Sequence, residues 1–380
     1  PAPPATATEW RGAPEMRTAS GWSFKPRGRM QLDAGTISAP ASVTDSGLGF
    51  SNEFRRVYLG VDGTMPGGIG YRVEADFADN AVQLTDVYLT YGRGPVAVTI
   101  GQQKPFQSME DMTSDLFTSF TERAAFNSAF GFERRVGVSA TYSHGALIAQ
   151  GGLFSDDVSA LTNTANNSWS ADGRLAFAPM VGTTQLHLGA SAHSRTFNDA
   201  TASTRYRARP FIHSTDTRYV DTGAILASGE TGYGLEAAVI NGRFHAAGEA
   251  SWMTVRRPGL VDPTFFGGYA EVGLFLTNDH RVLRKGAFDR VRPSRNLTNG
   301  GMGAVELNLR YDWLNLNDSA AAITGGQQAT YGASLTWIPT DYVRFILNYG
   351  HVVVDDARIA AGTDRNYALD ALGLRAQFDF

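Results

Sequence analysis

Lys25, Arg27 and Arg29 stand two residues apart, a spacing that puts all three side chains on one face of an extended strand. One ammonium and two guanidinium groups in a row can replace part of the water that an anion sheds. Guanidinium adds a forked pair of donors suited to carboxylate or phosphate oxygens. The same parity places Arg56, Arg72, Arg135, Arg174, Arg310 and Arg375 on the polar faces of other segments. Carboxylates occupy those faces too: Glu74, Asp76, Asp86, Glu236, Glu249, Glu306 and Asp312. The residues therefore support two readings, a basic track for an anion and a set of ion-pair braces.

Catalytic chemistry finds little footing. The chain has no GxSxG, no glycine-rich phosphate loop leading into a helix and no HExxH. Among its 7 histidines, His187 and His193 share a face, but six residues of strand separate them by about 20 Å, too far for one metal. With no cysteine, disulfides and Cys-containing zinc sites are excluded. No cofactor or metal is called for, and a Ser or Asp with His at a rim is all that an enzyme reading retains.

The elements that carry these residues alternate with period two, the signature of strands. In FKPRGRMQLDAGT the polar row is Lys25, Arg27, Arg29, Gln31 and Asp33. In YRVEADF, Tyr71, Val73, Ala75 and Phe77 face away from Arg72, Glu74 and Asp76. In AVELNLRYDW, Val305, Leu307, Leu309, Tyr311 and Trp313 oppose Glu306, Asn308, Arg310 and Asp312. Short turns (65–68, 92–94, 143–145, 179–182, 241–242, 339–340) alternate with long polar links (37–52, 103–133, 155–167, 196–229, 257–264, 317–326, 354–366). A tight link near Ala78 to Ala81 and a long one at 278–301 break the order. The count is about sixteen strands, an even number, and the class is all-β.

A soluble sandwich also alternates, but rows of Arg facing Glu and Asp suit a wet lumen. In a bilayer every backbone N–H and C=O must be paired, so strands cross only as a closed barrel. Tyr91, Tyr142, Trp169, Tyr206, Trp252, Trp313, Trp337 and Tyr349, near segment ends, are expected at the membrane interfaces. No apolar run is long enough for a membrane helix, and PAPPATATEW lacks the features of a secretion signal, which suits an already processed chain. A formal net charge of -4 over 380 residues gives nucleic acid no basic surface. Residues 1–20 read as a Pro-rich periplasmic segment and residues 21–380 as one barrel domain.

FRRVYLGVDG, DFADNAVQLTDVYLTY, TIGQQKPF followed by SFTERAAF, then GYAEVGLFLTNDHRVLRKGAFDRVRP with GAVELNLRYD, and the closing LRAQFDF, resemble the phosphate-selective porin O and P family in the same order over roughly residues 24–380. The resemblance implies a sixteen-stranded antiparallel outer-membrane porin, usually a homotrimer, with its third outer loop folded into the lumen. It implies contact with outer-membrane lipid and lipopolysaccharide, and small anions or solutes as permeants. It also makes the terminal Phe380 part of the signal read by the outer-membrane assembly machinery.

Within that frame the lumen candidates are Lys25, Arg27, Arg29, Arg56, Arg72, Arg135 and Arg310, with Lys104 and Arg123 on the constriction loop 103–133. That loop also carries Glu110, Asp111, Asp115, Glu122 and Glu133, an acidic excess that weakens a phosphate-specific site. Arg123, in the TER triplet, is either exposed to the ion path or paired with Glu122 or Glu110. The link 196–229 is more basic, with Arg205, Arg207, Arg209 and Arg218. The expected function is passive diffusion with a moderate anion preference, phosphate among the candidates. A non-selective diffusion porin, a barrel enzyme and a plugged structural barrel are the alternatives.

Overall fold

The last strand is buried in the reverse sense of a soluble sheet. Arg375, Gln377 and Asp379 are buried, Arg375 completely, whereas Leu372, Leu374 and Phe378 are 43–49% exposed. Such a strand is stable only with hydrocarbon outside and water or polar partners inside. The computed structural model describes residues 7–44, 47–78, 81–161, 168–199 and 202–380.

Sixteen strands build the wall. They run β1 (Ser23–Ser38), β2 (Gly49–Met65), β3 (Ile69–Asp76), β4 (Gln83–Arg93), β5 (Val96–Gln103), β6 (Arg135–His144), β7 (Leu147–Phe154) and β8 (Ser168–Phe177). The second half is β9 (Thr184–Phe197), β10 (Gly229–Asn241), β11 (Phe244–Arg256), β12 (Thr264–Phe275), β13 (Ala304–Asp318), β14 (Ile323–Thr340), β15 (Val343–Asp355) and β16 (Tyr367–Asp379). Each pairs antiparallel with the next, and β16 pairs with β1 from Asp370↔Ser38 to Asp379↔Arg29. That seam closes the barrel and leaves the wall no unpaired edge. Among the described residues no helix is long and apolar enough to cross a membrane.

Links on one rim are short and on the other long, as the sequence predicts, with the long exception between Phe275 and Ala304 on the short-link rim. Of the tight link between β3 and β4, residues 79–80 lie outside the described residues, as do residues 1–6 of the N-terminal segment. Ala7–Arg11 and Ala13–Arg17 form a hairpin whose second arm joins β1 at Met16↔Phe24. The turn expected at Pro339–Thr340 lies instead at Asp341–Tyr342. The strand continues through a register shift between Trp337 and Thr340, and such an irregularity tolerates a proline that cannot donate to the ladder.

Seven of the eight aromatics expected at the interfaces point outward and are 36–50% exposed. Tyr206 does not. It is 2% exposed and belongs to the outer link between β9 and β10, where its ring meets Phe130 and Phe265 and its hydroxyl donates to Glu230. Tyr206 is part of an interior apolar cluster in which Met109, Phe126 and Phe130, from the link between β5 and β6, pack on Phe265, Tyr269, Leu314 and Leu316 of the wall.

Phe380 closes β16 against β1. Its N–H donates to the Gly28 carbonyl at 3.0 Å, and its own carbonyl accepts from the Gly28 N–H at 3.3 Å. The ring covers the outer side of Gly28, where any added Cβ would overlap it, and lies 5.9 Å from the Phe378 ring. Glycine at that point is a socket for the terminal aromatic, a cross-strand rescue of an open backbone site. Gly28→Val should therefore lower the yield of heat-resistant folded barrels, as deletion of Phe380 should, while Met30→Val, one outward position along β1, should leave the yield near that of the parent.

Candidate permeation path

The row that begins with Lys25 runs down the inside of β1, and most of its members are matched by carboxylates. Arg27 meets Asp62 at 2.6 Å and Glu74 at 2.8 Å. Arg72 meets Asp62 at 2.6 Å and Asp86 at 3.5 Å, and Arg134 meets Asp86 at 2.7 Å. Arg27, Asp62, Arg72, Asp86 and Arg134 thus alternate in sign across β1 to β4 and the start of β6. Arg29 pairs with Asp115 and, at 3.3 Å, with Glu74, and lies 4.6 Å from the centre of the Tyr58 ring. Arg56 reaches the other Asp115 oxygen at 2.7 Å.

The link between β5 and β6 is held by wall strands far from it in sequence. It contains two short helices, α1 (Met109–Met112) and α2 (Ala125–Ala129). On β11, Glu249 accepts from Ser108 Oγ and the Met109 N–H at 2.8 Å and from the Glu110 N–H at 2.7 Å. On β13, Asp312 accepts from the Ala125 N–H at 2.8 Å, and Arg310 pairs with Glu110 at 2.6 Å. On β16, Arg375 pairs with Asp33 at 2.7 Å and Glu122 at 3.1 Å. Carbonyls in the stretch accept as well: Leu116 from Arg344 at 3.0 Å and Gln377 at 3.1 Å, Phe117 from Arg281 and Thr121 from Arg375. Burial alone would raise the carboxyl of Glu122, but Arg55, Arg56 and Arg375 outweigh it and hold Glu122 well below the usual range. Many wall cations are therefore committed to holding this link.

What remains open is a cavity of about 1600 Å³ on the side of β1 to β6, lined by residues from both ends of the barrel. Lys25, Arg27, Arg29, Arg56, Arg72, Lys104, Arg123, Arg207 and Arg209 line it, with Asp111, Asp115 and Glu122. Three other candidate cations are elsewhere. Arg310 is 4% exposed between Glu110 and Glu271, with its guanidinium 4.5 Å from the Phe120 ring centre and 4.8 Å from that of Tyr269. Arg135 and Arg205 border a separate recess of about 300 Å³, where Arg205 is paired with Asp221. Glu110 is also off the cavity, capping the chain at Ala124 N–H and Asn127 while it pairs with Arg310.

Two cations differ from the braces. Arg123 donates to the carbonyls of Glu110 at 2.9 Å and Thr113 at 2.8 Å, so its bonds fix its position without cancelling its charge. Lys104 bonds the Asp111 carbonyl and lies 3.2 Å from the Asp111 carboxylate, yet burial, and then Arg123, lower its pKa to about 8. At the outer mouth, Arg207, Arg209 and Arg218 line the cavity together. Burial and repulsion from Arg209 and Arg207 lower the pKa of Arg218 to about 10.

The sequence reading missed Arg55, Arg134, Arg284, Arg290 and Arg292, all on the cavity. Arg55 escaped because a register shift on β2 opposite Gln31 and Leu32 breaks strict parity, turning consecutive arginines toward the interior. Arg290 and Arg292 belong to the long link after β12, whose charged DRVR run was the available signal.

The model of the family described as phosphate-selective porin O and P matches residues 24–380. A curated but uncharacterized protein of Caulobacter vibrioides is 47% identical over 392 residues, covering 100% of this chain and 79% of that protein. Among solved structures, OmpT of Vibrio cholerae superposes with a TM-score of 0.59 at 10% identity, covering 96% of this chain and 99% of the other. An anion-selective porin from Comamonas acidovorans gives 0.59 at 11% identity, covering 94% and 100%. These two likenesses share the fold with the closed barrel seen here, and the family match adds the class: this chain belongs to the phosphate-selective porin O and P family, porins of the bacterial outer membrane.

Proposed function

We propose that this porin passes small hydrophilic ions and solutes passively with a moderate anion preference and without strong phosphate specificity. The observation that carries the reading is the charge of the cavity lining. Fifteen Lys and Arg side chains line it against eleven Asp and Glu, in a chain whose formal net charge is -4. An excess of fixed positive charge along a narrow aqueous path favours anions, and screening over about 8–10 Å makes the charges nearest the path dominate. Arg123, bonded to carbonyls, and Arg207 and Arg218 of the outer mouth contribute to that excess, whereas Arg209 is paired with Asp216 at 2.7 Å. Strong phosphate specificity would need several unmatched donors at the narrowest point, whereas the braces above occupy most of them.

Residues 103–133 fold into the lumen and set its width in this reading, supported by their bonds to Glu249, Asp312, Asn348 and Arg375 on the wall. The assembly is a homotrimer in outer-membrane lipid and lipopolysaccharide, inserted by the assembly machinery through its terminal Phe380, with residues 1–20 in the periplasm. A general diffusion porin is the second reading, favoured by the alternating Arg27, Asp62, Arg72, Asp86 and Arg134 series. This reading assigns His193 no catalytic role: it lies between Asp172 at 2.7 Å and Glu230 at 3.4 Å, is 5% exposed and suits a wall brace.

Deleting Ser108 to Phe120 should raise single-channel conductance, and unchanged conductance would remove the loop from the pore. Arg123→Ala should cut the chloride-to-potassium permeability ratio by roughly twofold to fivefold, the effect of one screened charge near the path. Asp111→Asn should raise that ratio, and Glu110→Gln, away from the cavity, should change it little. Lys104 gives a pH test with a definite sign. With its pKa at about 8, it is mostly charged at pH 6.5 and mostly neutral at pH 9.5, so anion preference should fall as pH rises across that window. Lys104→Met should remove the step, and a step that survives this substitution belongs to another group.

A further inference from the structure

Four glycines face the interior near the outer mouth, Gly35 on β1, Gly332 on β14, Gly350 on β15 and Gly373 on β16. They stand in two cross-strand pairs, Gly35↔Gly373 and Gly332↔Gly350. Glycine weakens a strand and usually marks a place where something approaches the backbone closely. Here the approach comes from the outer link between β9 and β10. A Cβ added at Gly350 would lie 2.5 Å from Phe211 Cδ1, and one at Gly332 would lie 3.1 Å from Phe211 Cε2. At Gly35 and Gly373 the added atom would lie 2.9 and 3.1 Å from methyl carbons of Ile212. The paired glycines form a notch, and Phe211 and Ile212 fill it.

Phe211 has φ of +69°, a conformation that a bulky residue adopts only where its surroundings over-determine it. Its ring stands edge-on to Phe120 of the link between β5 and β6, with centroids 5.8 Å apart at 68°, and Gly332 borders both rings. Ile212 packs with Tyr219, Val352, Leu369 and Ala371. Arg209 lies two residues before this dipeptide, Arg207 four before and Arg218 six after Ile212, and all three line the cavity. The link thus has an apolar anchor in the wall and a cationic rim over the opening.

We propose that Phe211 and Ile212, seated in the notch of Gly35, Gly332, Gly350 and Gly373, are positioning residues for anion selectivity, holding Arg207, Arg209 and Arg218 over the outer mouth. The proposal rests on the anion-preference reading for its electrical consequence, and on packing alone for its mechanical part. Phe211→Ala empties the part of the notch formed by Gly332 and Gly350. Gly350→Ala keeps the phenylalanine but leaves its ring no room, and alanine weakens a strand less than glycine does, so the barrel itself should fold.

The experiment records reversal potentials in a potassium chloride gradient for the parent, Phe211→Ala, Gly350→Ala and Phe211→Leu, each also combined with Arg207→Gln, Arg209→Gln and Arg218→Gln. A spin label on Thr217→Cys, the single thiol because the chain has no cysteine, reports the mobility of the link and leaves the Arg209–Asp216 pair in place. Phe211→Ala and Gly350→Ala should each at least halve the chloride-to-potassium ratio and mobilise the label, while Phe211→Leu retains most of the ratio. In the triple-Gln background Phe211→Ala should change the ratio no further, because the clasp acts through those arginines. An equal drop in that background, or no drop in the parent, overturns the positioning role. A label that stays immobile in Phe211→Ala overturns the clasp itself, whether or not the parent prefers anions.

Discussion

Closure of the sheet is the constraint on which everything else rests. A bilayer offers no partner to a backbone N–H or carbonyl, each of which costs several kcal/mol if left bare, so the chain must return to its own first strand. The β16 to β1 seam does this over Asp370↔Ser38 to Asp379↔Arg29. Once closed, the period-two alternation assigns every residue to lipid or lumen. Leu374 goes out and Arg375 goes in because no other arrangement pairs the backbone and also keeps guanidinium out of hydrocarbon.

The lumen then has a charge problem of its own. Confined cations and carboxylates at this density must be matched or hydrated, and the chain matches many of them with its own links. Arg375, Arg310 and Arg344 hold the segment between β5 and β6, and Glu249 and Asp312 accept its N–H groups. The apolar cluster around Phe126, Tyr206 and Leu314 joins both links to the wall, and the cavity is lined largely by β1 to β6. Track and brace are therefore separate populations. Arg310 is a brace, Arg27 and Arg72 are paired on the cavity wall, and Arg123 and Arg207 have no carboxylate within ion-pair distance among the described residues.

Much of this was legible in the sequence, because alternation is a local property. The strands around FKPRGRMQLDAGT and AVELNLRYDW appear where their polar rows place them, and the order of short and long links holds. The seat of Phe380 was not legible, since it needs Gly28 more than 350 positions away to come alongside. Tyr206 was misplaced because an aromatic near a strand end looks the same whether it meets lipid or folds inward with its link. Arg55 was hidden by a register shift, and Arg135 and Arg310 share the parity of the cavity residues without reaching the cavity. Parity gives the face of a strand, whereas height and partner depend on links that pack non-locally.

The central claim is that the cavity carries a net positive charge although the whole chain is acidic. Its most direct test is the zero-current potential of the unmodified channel in a tenfold potassium chloride gradient at neutral pH. The account predicts a potential on the chloride side of zero. A potential on the potassium side would contradict it.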